Sequence, residues 1–181
     1  MAYTSEIVGS EPVKMVDVKA HLRVTYGEDD SMIYTMLQTA REWAETHTEK
    51  AIVDQKVTAY YSGLKDKMAL PIGNARSITS VKYLDGNKTQ QTLTAGFIVT
   101  KGTPNTLVFV DTVPEFTEQA DSVEVEYVAG YDCDYPSRIK SALLLLVGDM
   151  YEHREAQVVK DRVEQNPTLE RLLFPVREVG M

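Results

Sequence analysis

The chain has 181 residues, 43% of them hydrophobic and 25% charged, which is typical of a protein with one sizeable core. Its 19 basic and 27 acidic side chains give a net charge of −8, which argues against tight binding to nucleic acid. The single cysteine, Cys133, excludes an internal disulfide, and the longest apolar run is far shorter than the roughly 20 residues that span a bilayer. Because residues 1–12 do not resemble a signal peptide, we expect a protein that is made in the cytosol.

The first 50 residues predict an extended arm followed by two helices. Residues 1–12 form the arm, residues 15–23 a short helix, and residues 30–47 a longer one. Asp29 or Asp30 is placed to cap the N-terminus of the longer helix. The apolar residues that recur at helical spacing in the longer helix are Ile33, Leu37, Ala40 and Ala44.

The pattern of the middle of the chain predicts short strands that are joined by turns. The dipeptide Asp85-Gly86 is a strong hairpin signal. Residues 113–120 form a surface loop that contains Pro114 and two glutamates. Strands spaced by roughly 8–12 residues indicate a compact antiparallel β unit. The predicted strands are residues 53–61, 68–72, 78–84, 90–93, 97–100, 106–110 and 122–128.

A helix over residues 136–155, opened by Pro136, is the most apolar segment of the chain. Leu144 and Leu145 lie off its main apolar stripe, so its middle is apolar almost all round. Such a helix is either deeply buried or shared with a neighbouring chain. The stripe itself consists of Ile139, Leu143, Leu146, Val147 and Met150.

A last short helix is predicted over residues 169–173, where Thr168 can cap it and Pro175 ends it. The order of helices, strands and helices predicts an α+β fold. In it the N- and C-terminal helices, about 15–48 and 136–174, form a small bundle, and an antiparallel β unit, about 53–128, is inserted between them. We predict a single domain over residues 1–181.

Few side chains are placed for chemistry. Asp149 and His153 are four residues apart and could supply two metal ligands or a local ion pair, whereas structural zinc requires four ligands. Cys133 lies between two aspartates, whose charge makes it a poor nucleophile. The sequence contains neither G-x-S-x-G nor H-E-x-x-H. We therefore predict no catalytic residue, no cofactor, no metal site and no enzymatic activity.

Four segments of the chain, in order, resemble a head–tail connector (adaptor) protein of a tailed phage or prophage. The resemblance implies a structural protein without catalysis or cofactor. It would form a ring, usually twelve-fold, beneath the portal protein of the DNA-filled head, extend the DNA channel and present a surface to the next neck or tail protein. The segments are residues 12–24 (with VKAHLRV), 40–53 (with AREWAE and KAIV), 127–155 (with YVAGY, PSRIK, LLLLV and YEHRE) and 169–177 (with LERLLFP and Arg177).

The resemblance leads to two predicted contact surfaces. Leu144 and Leu145 are candidates for contact with a neighbouring subunit or with the β unit. Residues 156–181 are the candidate for portal docking, although for an isolated chain the general rule favours apolar residues that fold back on their own core. The docking candidates are Leu169, Leu172, Leu173, Phe174 and Arg177.

The same resemblance implies where the protein is found and suggests a use for its excess of acidic side chains. We expect the protein in the host cytoplasm during assembly and then in the virion neck, without contact with a membrane. Carboxylates that line the channel would repel DNA phosphates, so that genomic DNA passes without sequence-specific binding.

Three alternatives stay open from the sequence. The first is another neck or tail component, such as a stopper or tail-completion protein. The second is a small β-containing module that binds a ligand, for example a sugar, through tyrosines such as Tyr60 and Tyr61. The third is an enzyme that works through Asp149, His153 and nearby carboxylates.

Overall fold

Helices from both ends of the chain pack into one layer, as the sequence predicts. The computed structural model describes residues 2–100, 105–110, 112–153 and 167–177. The helices are α1 (Met15–Leu22), α2 (Asp30–Thr48), α3 (Ser137–Glu152) and α4 (Pro167–Leu173), and a 3-10 helix, Phe174–Val176, follows α4 directly. α3 packs against α1, α2 and α4. The fully buried centre of this layer contains Val18, Ile33, Leu37, Ala44, Ile139, Ala142, Leu143, Val147 and Leu173.

The β unit consists of two antiparallel sheets. The larger has the order β1-β2-β8-β4-β5 and the smaller the order β3-β7-β6. Two strands have the predicted bounds, Gln90–Leu93 and Phe97–Thr100. The strands are β1 (Ala2–Ile7), β2 (Gln55–Tyr61), β3 (Lys67–Ala69), β4 (Ala75–Leu84), β5 (Gln90–Leu93), β6 (Phe97–Thr100), β7 (Thr106–Phe109) and β8 (Val123–Ala129).

The β unit has a core of its own, on one face of the larger sheet. In β8 every second residue is buried, which is the period of a strand with one covered face. Tyr127 lies in this core, where its hydroxyl contacts the backbone N–H of Ile72 at 3.1 Å. The buried centre contains Val57, Ala59, Val81, Leu107, Val123, Val125, Tyr127 and Ala129.

The predicted N-terminal arm is in part an edge strand of the larger sheet. β1 pairs with β2 in a register that sets Ser5 opposite Val57, and all of its residues are exposed. After the strand, the N–H groups of Val8 and Gly9 both donate to the Asp54 carbonyl, at 2.9 and 3.0 Å. The arm is therefore attached to the body of the protein along much of its length.

Several helix ends differ from the prediction because the polar side chains there have other partners. Asp29 occupies the N-cap position of α2, as predicted, but its side chain makes no capping hydrogen bond and instead accepts one from Tyr151. Asp30 lies inside the helix and pairs with Lys19. Thr168 lies inside α4, which already begins at Pro167. Pro136 is the N-cap of α3 rather than part of its first turn, and Pro175 lies within the 3-10 helix rather than ending the helical segment. The predicted continuation of α3 beyond residue 153 lies outside the described residues.

Candidate functional site: assembly surfaces

A buried charge network joins the arm, the helical layer and the β unit. The Arg41 side chain is 1% exposed, and its guanidinium contacts Glu11 at 3.1 Å and Glu45 at 2.8 Å. Burial lowers the pKa of Arg41, but the charges of both carboxylates outweigh this effect, so the net pKa is raised. Glu45 also accepts hydrogen bonds from the N–H groups of Ile52 and Val53, at 2.8 and 3.2 Å. The network therefore fixes how the arm, the helical layer and the start of the β unit lie relative to one another.

The surplus leucines of α3 are used largely within the subunit. Leu144 is half-buried and packs against the helical core, whereas Leu145 is 36% exposed. The helix is apolar almost all round because it is in contact with three other helices. Contact of Leu144 and Leu145 with a neighbouring subunit stays a prediction, and Leu145 is the residue whose side chain is accessible for it.

The predicted docking segment divides into a buried and an exposed half. Leu169 and Leu173 are buried in the helical core and Leu172 is half-buried. Phe174 is 63% exposed, and Arg177 is exposed as well. Portal docking stays a prediction, and in this arrangement a partner would meet Phe174 and Arg177 first.

α4 lies beside α2 at a pair of side chains that the sequence did not predict to be close. The His47 Nε2 atom lies 3.5 Å from the Glu170 carboxylate. The Trp43 ring, 42% exposed, stacks on the His47 ring at a centroid distance of 5.0 Å. Trp43 and His47 are four residues apart in α2, and this spacing alone indicates that the two rings can stack. The stack places a large aromatic side chain beside the docking segment.

A second polar cluster fixes the end of α3. The hydroxyl of Tyr151 donates to the Asp29 carboxylate at 2.6 Å and lies 3.1 Å from the hydroxyl of Tyr26. These hydrogen bonds, the one to Asp29 foremost, raise the pKa of Tyr151 well above its usual value. The cluster therefore connects the start of α2 to the end of α3.

A groove of about 800 Å³ lies between the arm, α2 and the turn that precedes α3. We call it the arm groove. Its apolar part includes Ile7, Tyr34 and Tyr135, and Tyr34 is 44% exposed. Lys14 and Lys140, both exposed, also line it. The remaining charged residues of the lining are Arg41 and Glu11, which pair with each other.

Residues 112–121, which we call the acidic loop, precede β8, whereas the turn that lines the arm groove follows β8. The N–H of Thr117 donates to the Leu84 carbonyl at 2.8 Å, and its hydroxyl donates to the Asp85 carbonyl at 2.6 Å. The N–H of Gln119 donates to the Ser62 carbonyl at 3.0 Å. The exposed acidic side chains of the loop are Glu115, Glu118 and Asp121.

The tyrosines named for ligand binding serve different purposes in the fold. Tyr60 and Tyr61 line an open groove of about 570 Å³ beside β3. The Tyr61 hydroxyl donates to the Ala69 carbonyl at 2.7 Å, and burial raises the pKa of Tyr61 to about 12. This groove is open to solvent. The hydroxyl of a different tyrosine, Tyr127, lies in the β core.

The residues considered for chemistry do not converge on one site. His153 Nδ1 lies 3.4 Å from the Asp149 carboxylate, as an exposed pair at the end of α3. Within the described part of the chain, no three His, Cys, Asp or Glu side chains are grouped so that they could hold a metal ion. Cys133 is exposed in the turn between β8 and α3. Among the described helices, none is long and apolar enough to cross a membrane.

Comparisons with known proteins give a match at the level of structure. No protein-family model matches the sequence, and no curated protein matches it. Similar chains occur in the neck of an empty gene transfer agent (GTA) particle computed with C6 symmetry (TM-score 0.77, 19% identity) and in the virion of the native particle (TM-score 0.78, 18% identity). A third is in the neck of the native particle computed with C12 symmetry (TM-score 0.73, 18% identity). Each match covers 98% of this chain and 97% of the other. The chain shares the fold of these proteins over both its helical layer and its β unit.

Proposed function

We propose that this protein is a structural component of a phage-type virion neck, where it acts as a ring-forming head–tail connector (adaptor). The observation that carries the proposal is the likeness, over 98% of the chain, to proteins of GTA particles. The matched necks were computed with C6 and C12 symmetry, which supports a ring as the working assembly. The ring would extend the DNA channel between portal and tail, and its role involves no catalytic step.

Docking to the portal is assigned to the exposed half of the C-terminal segment. Phe174 can supply an apolar anchor, and Arg177 a charged contact next to it. Deleting the whole segment would be a poor test, because Leu169 and Leu173 belong to the helical core. Point substitutions at exposed positions keep that core intact.

The test is binding of the purified protein to purified portal protein, followed by native mass spectrometry. We expect about twelve copies on each portal, from the family that the sequence resembles. Phe174→Ser should weaken binding at least tenfold, or about 1.4 kcal/mol. Val110→Ser, at another exposed apolar position, is the control and should bind normally. Absence of any complex with the wild-type protein would overturn the proposed function.

A stopper or tail-completion protein is the second candidate, because a neck fold is compatible with either position. The two assignments differ in the order of assembly. An adaptor binds portal that carries no other neck protein, whereas a stopper binds only after the adaptor ring is present. Binding to portal alone therefore decides between them.

A further inference from the structure

We propose that the acidic loop of one subunit binds in the arm groove of the next and thereby forms the ring contact. This inference rests on the proposed function, which supplies the ring, and it names the surfaces that close it. It commits to a second copy of this chain as the occupant of the groove.

The charge of the groove differs from that of the protein as a whole. The chain carries a net charge of −8, but the groove is lined by Lys14, Arg41 and Lys140 against the single carboxylate of Glu11. Because Arg41 is already paired with Glu11 and Glu45, the charges left to attract a partner are those of the two exposed lysines. The groove therefore suits an acidic segment with some apolar surface.

The acidic loop has the matching properties. Residues 112–121 contain three carboxylates and neither Lys nor Arg. The middle of the loop is anchored, because Phe116 packs into the β core and Thr117 bonds to the neighbouring hairpin. Glu115 and Glu118 flank this anchor and are exposed. A loop that is held in place loses little conformational entropy when it binds.

The positions of the two surfaces favour contact between different copies rather than within one. The acidic loop directly precedes β8, and the turn with Cys133 and Tyr135, which lines the groove, follows it. The seven residues of β8 separate the two surfaces by roughly 20 Å at about 3.3 Å per residue. Two unlike surfaces that meet between copies form a head-to-tail contact, which closes into a ring when the rotation between copies permits.

Reversal of the charges on each side tests the contact. One variant carries Lys14→Glu and Lys140→Glu, and the other carries Glu115→Lys and Glu118→Lys. In each variant alone the loop and the groove have the same charge, so the number of copies on portal should fall at least tenfold. In an equimolar mixture each loop finds an oppositely charged groove, and an alternating ring should form. Lys65→Glu with Lys67→Glu is the control for the groove variant, with the same change of charge on exposed residues outside both surfaces.

The readout is again native mass spectrometry with portal, and circular dichroism checks that every variant is folded. Normal ring assembly by both variants would overturn the inference and leave the proposed function intact. Loss of assembly without rescue in the mixture would also overturn it, because the two surfaces would then have other partners. If the wild-type protein fails to bind portal, the proposed function falls and the inference falls with it.

Discussion

Arg41 is the charged side chain whose loss should destabilise the fold most. It is 1% exposed and lies between the carboxylates of Glu11 and Glu45. Arg41→Ala would leave both carboxylates without their cation, and each is itself largely buried. We expect the free energy of unfolding to fall by about 3–5 kcal/mol, measured by urea denaturation.

A second ion pair provides the control for this prediction. Lys82 lies 3.1 Å from Glu124 on the exposed face of the larger sheet, where water screens both charges. Lys82→Ala should therefore lower the free energy of unfolding far less than Arg41→Ala does. Equal losses in the two variants would contradict the role assigned to burial at Arg41.

Glu49 ends α2 in a conformation that suits glycine better than glutamate. Its φ is 58°, in the left-handed region that a side chain disfavours. Glu49→Gly should raise the free energy of unfolding by about 0.5–1 kcal/mol, and the melting temperature by about 2–3 °C. Calorimetry measures both, and Glu49→Ala should give no such gain because alanine keeps the strained Cβ. A gain with alanine would show that the charge, and not the backbone, is unfavourable.

At the scale of elements, the hairpin of β4 and β5 depends on one carboxylate. Asp85 accepts hydrogen bonds from the Gln91 side chain and from the N–H groups of Thr89 and Asn87, each at 2.9 Å. These bonds, the one from Gln91 foremost, hold the pKa of Asp85 below its usual value of 3.8. A carboxyl group with a lowered pKa stabilises the fold above its unfolded pKa, and this contribution is lost as the pH falls through the folded pKa.

The amide NMR signals of Asn87 and Thr89 should therefore titrate together, with a midpoint below pH 3.8. In Asp85→Asn the same signals should show no such titration, because the carboxyl group is gone. A midpoint at or above pH 3.8 in the wild-type protein would contradict the hydrogen-bonded turn.

The same hairpin shows which elements a sequence can reveal. Asp85-Gly86 is a local signal, so the turn and the bounds of β5 follow from neighbouring residues alone. β1 has no such signal, because none of its residues is buried and its partner β2 lies about 50 residues away in the chain. For a related reason the sequence predicted the N-cap residue of α2 but not the partner of its side chain, since Asp29 bonds to Tyr151, which is distant in sequence.

The residues of the candidate surfaces also differ in how far the sequence can predict them. Helical spacing placed Leu143 and Val147 in the core and picked out Leu144 and Leu145 as the surplus. It could not show that Leu169 and Leu173 are buried while Phe174 is exposed, since all belong to one short apolar run. The arm groove combines residues from the arm, α2 and the turn before α3, so no sequence window contains it.

At the scale of the whole molecule, the helical layer and the β unit have separate cores, and Glu45 is one of the side chains that connect them. Glu45 pairs with Arg41 in the helical layer and accepts from the N–H groups of Ile52 and Val53, just before β2. Such a connection couples the unfolding of the two parts. We expect the wild-type protein to unfold in one transition.

Methyl NMR during urea unfolding measures the coupling. Leu143 reports on the helical core and Val125 on the β core, and in the wild-type protein their signals should be lost at the same urea concentration. In Glu45→Ala the two midpoints should separate, because the hydrogen bonds and the ion pair of this carboxylate are gone. A shared midpoint in this variant would mean that the remaining contacts, such as the hydrogen bond from the Gly73 N–H to the Glu49 carbonyl, are enough to couple the two cores.

The strand order has a consequence for how the protein is made. β8 lies between β2 and β4 in the larger sheet, although it follows both in the chain. On the ribosome about 40 residues separate the end of β4 from the start of β8, which at about 5–20 residues per second is roughly 2–8 s. During this time the nascent chain carries two strands whose shared neighbour has not been synthesised, and unpaired strand edges promote aggregation. The larger sheet is completed only after Val123–Ala129 has left the ribosome, so a chain that stops short of it cannot keep the fold.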